Sequence, residues 1–291
     1  MRMLFHTFDY FRPLFIVALT LALPSPGSVL AHGSHDSQIA TLTDAIAASP
    51  DTVDLYLQRG ELHQLERHWD EAMRDFRRAE ELEPAHPNLR MCLASLLVDV
   101  ARPAAALEQL SACAEMEQSE EFWYLRSRAY ADLELWNEAI VCLDRALTLT
   151  EEPRPDHYVE RVRLVLARDP QDLLGALEGL DAGMSRLGPL PSLGLLAIDL
   201  EVQARAYDAA LLRLDTLAEW LGRPEVVLAR RGEILEQAGR QLEARVAYTE
   251  ALQHIETLSP RRRRASATRE LEHRVRGALT VAPLREPEDL R

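Results

Sequence analysis

Histidines near the start, carboxylate runs in the middle and four consecutive arginines near the end are where this chain could do chemistry. His32 and His35 stand beside Asp36. A free N-terminal amine with two imidazoles offers donors that suit copper or nickel. The plainer reading of the same residues is a polar leader. His63 and His68 are five residues apart, so they do not share a helix face, and His63 reads as a packing residue. Glu80, Glu81 and Glu83, like Glu117, Glu120 and Glu121, are surface runs. Acid–base catalysis needs carboxylates that converge in a dry pocket, which such runs do not supply. The chain has no Gly-x-Ser-x-Gly, no phosphate-binding glycine loop and no His-Glu-x-x-His. A hydrolase-type enzyme is therefore an alternative without a motif. Arg261, Arg262, Arg263 and Arg264 follow Pro260. They could meet an acidic protein surface or lipid headgroups. The plainer reading pairs them with Glu270 and Glu272. Cys92, Cys113 and Cys142 are odd in number and lack zinc spacing. They read as small buried hydrophobes, Cys113 and Cys142 on second helices of a repeat.

The elements that would position these residues come from composition and period. The 291 residues are 47% hydrophobic, ample for a packed core, and carry a net charge of −14. That charge opposes wholesale nucleic-acid binding. All 33 basic residues are arginine. Arg2 and Arg12 precede the apolar run 13–23, and small residues reach Ala31, which is the layout of a secretory signal. Nothing later is apolar enough to span a bilayer. The expectation is an exported, periplasmic or secreted chain, touching a membrane only through the signal segment if that stays uncleaved.

A small residue recurs at Ala72, Ala106, Ala139, Ala210 and Ala244, in steps of 34, 33, 71 and 34 residues. A fixed period of this length means stacked helix pairs. The first unit reads Tyr56, Gly60, Trp69, Ala72, Phe76, Ala79 and Pro84. The third reads Trp123, Tyr130, Trp136, Ala139, Leu143 and Ala146, and the sixth Leu228, Gly232, Leu235, Gly239, Ala244, Tyr248 and Ala251. These residues resemble the tetratricopeptide repeat, with His63 where that family has Tyr. The resemblance implies an all-α, right-handed superhelical solenoid of antiparallel helix pairs. The expected layout is signal segment 1–31, polar leader 32–37, a partial repeat plus about six repeats over 38–260, a capping helix 261–279 and a frayed tail 280–291. The fourth repeat, near 155–188, is the most degenerate.

The resemblance also implies a function. Proteins of this family bind partner segments on a face lined by first helices. Carried over by register, that face holds Asp54, Leu57 and Glu61, then Met91, Ser95 and Asp99, then Tyr124 and Arg128, and finally Glu233 and Glu236. Gln64 and Leu65 belong to the same set. Its mixed acidic and apolar character favours basic or apolar segments of a protein or peptide partner. No cofactor is implied, and the oligomeric state stays open.

Overall fold

Proline and a left-handed turn residue punctuate this chain, and together they set the helix pairs. The computed structural model describes residues 27–281 apart from 87, 114 and 115, with side chains between 35 and 280. Among the described residues there are fifteen helices and no strand. They are α1 (Gly27–Ala48), α2 (Val53–Leu65), α3 (Trp69–Leu82), α4 (Leu89–Asp99), α5 (Pro103–Ser111), α6 (Glu120–Asp132), α7 (Trp136–Leu149) and α8 (Pro155–Arg168). After them come α9 (Leu173–Leu187), α10 (Pro191–Gln203), α11 (Tyr207–Leu221), α12 (Pro224–Gln237), α13 (Gln241–Thr257), α14 (Pro260–Arg263) and α15 (Ser266–Val281). Pro103, Pro155, Pro191, Pro224 and Pro260 each open a helix, where a missing N–H costs nothing.

Inside five of the pairs the turn is the same object. Arg67, Ala101, Glu134, Arg205 and Gly239 all take positive φ, between 55° and 76°. Each lies five residues before one of the period-setting alanines. Each N–H returns to the carbonyl three residues back, as in Arg67 to Gln64 at 2.9 Å and Gly239 to Glu236 at 3.0 Å. The following N–H returns five residues, as in His68 to His63 and Arg240 to Leu235, both 2.8 Å. This double return satisfies helix-end carbonyls that would otherwise stay open. The fourth pair, α8 and α9, lacks the left-handed residue. Asp172 caps α9 there by accepting from Gly175 N–H at 2.9 Å, and Arg168 also reaches Asp172.

The small residues are small because a partner ring or branched side chain fills their place. A Cβ on Gly60 would stand 2.4 Å from Phe76, and one on Gly232 would stand 2.4 Å from Tyr248. Ala72, Phe76 and Ala79 are fully buried. In α10 and α11, Glu201 late in the first helix meets Arg213, while Gly194 earlier in the first faces Leu217 later in the second, so the contacts run in opposite senses and the two helices are antiparallel.

The chain divides into two compact units. One ends at Cys92 and holds α1 to α3 with the start of α4; the other runs from Leu93 and holds the rest. The second has two apolar clusters. The first includes Leu143, Tyr158, Val165, Leu180 and Leu193. The second includes Leu214, Ile234, Tyr248 and Ile255, closed by Leu271 and Val275 of α15.

Three details depart from the expected layout. α1 begins at Gly27, so the backbone of the predicted leader 32–37 is helical, and residues 1–26 of the predicted signal lie outside the described residues. The capping region is two helices: Arg261, Arg262 and Arg263 fall in α14, Arg264 caps its end, and α15 starts only at Ser266. α5 ends at Ser111, which leaves Cys113 in the loop after it rather than on the helix. All three cysteines are buried, and none of them is in a disulfide.

Candidate functional site

The first unit contains a cleft of about 470 Å³ between α1 and α2. Helical spacing builds both walls. Gln58, Glu61, Leu62 and Leu65 share one face of α2; Ser37, Gln38, Thr41 and Leu42 share one face of α1. Leu42, Leu62 and Leu65 supply an apolar strip, and Leu65 is 66% exposed. Polar side chains stand around the strip. Glu61 accepts a hydrogen bond from Cys92 Sγ at 3.4 Å while its carboxylate lines the cleft. Beside Leu65, Glu66 Oε1 and His35 Nδ1 are 2.7 Å apart.

Only part of the sequence-expected face is available. Glu61 lines the cleft. Leu57 and Met91 are buried, 4% and 5% exposed, so both belong to the core and not to a contact surface. Helical register alone does not give depth. Asp54 lies 3.2 Å from His86 Nε2 at the start of α2. Ser95 is half-buried on α4.

In the second unit most of the expected residues engage other side chains of the fold. Asp99 meets Arg128 at 2.8 Å, joining α4 to α6. Arg230 bridges Asp199 of α10 and Glu233 of its own helix, the latter at 3.1 Å. Arg274 of α15 reaches Glu233 at 3.3 Å. Glu236 accepts from Tyr248 Oη at 2.9 Å. Ion pairs thus link consecutive first helices and neutralise much of the acidity that composition suggests. Burial pushes the Asp199 carboxyl up, against the pull of Arg230. It likewise pushes up Asp132, against Arg128.

Tyr124 stacks on His157, ring centroids 4.9 Å apart and tilted by 33°. His157 is 4% exposed, and its Nδ1 has no hydrogen-bond partner among the described residues. Glu120 Oε1 stands 3.7 Å from that nitrogen, and Arg154 Nη2 stands 3.2 Å from Nε2. Burial and then Arg154 hold the His157 imidazole below its ordinary value of 6.5. Sequence reasoning passed over His157 because its repeat has drifted furthest from the pattern.

No group of three His, Cys, Asp or Glu side chains gathers to hold a metal among the described residues. The His32 side chain lies outside them, and His35 faces Glu66. The cleft residues on α1 carry no motif, and only the i, i+4 spacings of Ser37 with Thr41 and Gln38 with Leu42 foreshadow them. No helix among the described residues is long and apolar enough to cross a membrane.

Comparison with known proteins agrees with this geometry. The tetratricopeptide repeat family model matches residues 120–153, which are α6, α7 and the turns around them. No curated protein matches the chain. Among solved structures, the chain is similar to the C-terminal part of a TPR repeat-containing protein from Cytophaga hutchinsonii. Identity is 12%, the TM-score is 0.60, and 80% of this chain and 95% of that chain are covered. It is also similar to PilW, described as a widely conserved type IV pilus biogenesis factor. Identity there is 18%, the TM-score is 0.55, and 66% of this chain and 88% of that chain are covered. Helix pairs, a shared left-handed turn at the period of the small residues, and these likenesses converge on the fold: the described residues build helix-pair repeats of the tetratricopeptide type, and residues 120–153 match the model of that family.

Proposed function

We propose that this protein is an exported, non-catalytic scaffold that binds a segment of a protein partner, with the α1–α2 cleft as its principal seat. The observation that carries this reading is Leu65, a large apolar side chain left 66% exposed on a cleft wall beside the Glu61 carboxylate. Such a wall suits an apolar side chain flanked by a basic one. The ion-paired face of the second unit supplies register rather than a second cleft.

A peptide library displayed against the full chain tests this. Enriched sequences are expected to carry Arg or Lys near a Leu or aromatic residue. Leu65→Asp and Glu61→Arg should each abolish their capture with helical content unchanged. Enrichment that survives both substitutions overturns the cleft as the seat. Export is proposed from the charge and apolar run of residues 1–31. N-terminal sequencing of the protein from its host should begin at His32, and an intact Met1 would contradict cleavage.

A further inference from the structure

The strongest charge feature outside the cleft is the C-terminal cap. Between residues 260 and 281 the chain has seven arginines against two glutamates, in a protein of net charge −14. The sequence reading paired this run with Glu270 and Glu272. Only Arg263 does so, reaching Glu272 at 3.6 Å, and Arg276 holds the same carboxylate at 2.7 Å. Glu270 is taken by the Ser266 hydroxyl at 2.8 Å. Arg261, Arg262, Arg264 and Arg269 are exposed and make no ion pair among the described residues.

Local stability does not explain these four. Arg264 and Arg269 flank the start of α15, whose first turn holds no acidic residue, and positive charge there opposes the helix dipole. Packing does not explain them either. α15 docks through Leu271, Val275 and Thr268, all buried, whereas all four arginines are exposed. Four like charges crowded into nine residues cost repulsion and return nothing to the fold.

We propose that the α14–α15 cap is a second docking surface, for a carboxylate-rich segment of a protein partner. Guanidinium groups match carboxylates through a planar two-point fork. This chain uses that fork repeatedly: Arg59 grips Asp75 at 2.8 and 2.6 Å, and Arg240 grips Glu243 at 2.8 and 2.5 Å. A bilayer surface fits less well. No large hydrophobic side chain is exposed between 260 and 280, so nothing would enter the acyl region. The acidic remainder of the molecule would also be repelled by an anionic plane, whereas a flexible segment touches the cap alone.

The test uses the full chain and a fluorescent decaglutamate peptide at low salt. The wild type should bind, with affinity falling as salt rises. The combined variant Arg261→Glu, Arg262→Glu and Arg264→Glu should bind at least about tenfold more weakly, with circular dichroism and melting unchanged. The combined Gln variant should show an intermediate loss. Leu65→Asp should leave this binding intact, which separates the cap from the cleft. Equal binding by wild type and the Glu variant, or no binding by the wild type, overturns the proposal. Binding to phosphatidylglycerol vesicles in place of the peptide overturns the carboxylate assignment.

Discussion

Phe76 leaves no room beside Gly60. The ring is fully buried, so it cannot swing aside when a methyl group arrives 2.4 Å away. Overpacking of this kind costs roughly 1–3 kcal/mol. The better helix propensity of alanine returns about 1 kcal/mol. Gly60→Ala is therefore expected to destabilise the protein by up to about 2 kcal/mol in denaturant unfolding, and adding Phe76→Leu should recover part of the loss. A Gly60→Ala chain as stable as the wild type would place the α2–α3 contact elsewhere. Half-buried His63 and buried His157 carry a pH dependence whose sign is fixed. Burial is the first cause holding both His63 and His157 below 6.5. The unfolded chain then takes up protons that the folded chain refuses. Stability is full above about pH 6.5 and falls as pH drops toward the folded values. Arg154, Glu120, Asp156 and Tyr124 surround His157, and only the carboxylates favour its protonation. His157→Phe should keep the stack on Tyr124 and reduce the loss of unfolding midpoint between about pH 7.5 and pH 5.5. An unchanged slope would mean that other groups carry it.

At the scale of elements, the left-handed turn is the repeated part. Residues as unlike as Arg67, Ala101, Glu134, Arg205 and Gly239 occupy it, so the double hydrogen-bond return dictates the geometry whatever the side chain. Left-handed backbone costs a residue with Cβ about 1–2 kcal/mol, and glycine avoids that at an entropic cost near 0.5–1 kcal/mol. Gly239→Ala should lower stability by about 1 kcal/mol. Glu134→Gly should raise it by a few tenths to about 1 kcal/mol. Calorimetric melting of the two variants, shifted in opposite directions, is the expected result. This turn also explains what could be read from the sequence. The alanines five residues after each turn must be small because helices cross there, so the period stands out in the letters. The fourth pair lost the turn, and the legible pattern fades at the same place. The cleft stayed hidden for a different reason. Apart from Leu42, its α1 wall is made of Ser37, Gln38 and Thr41, ordinary surface residues until a second helix lies opposite. Leu57 and Met91 misled because helical register gives direction, whereas depth depends on what packs above.

For the whole molecule, an open-ended stack needs its last apolar face covered. Leu271 and Val275 of α15 cover the face of α13 that contains Ala251 and Ile255, both fully buried. Burial of each covering side chain is worth about 1.5–3 kcal/mol. A chain ending at Ser259 should melt lower by an amount of that order and should self-associate on a sizing column. A truncated chain that stays monomeric with unchanged melting would show that α15 is not a cap. The same closure reaches the thiols. Cys92, Cys113 and Cys142 are buried, and burial pushes the Cys142 thiol up, away from its reactive thiolate. A thiol reagent in excess can therefore touch them only when the surrounding helices part. Their labelling rates become local clocks of opening, with Cys92 timing the first unit and Cys113 and Cys142 the second.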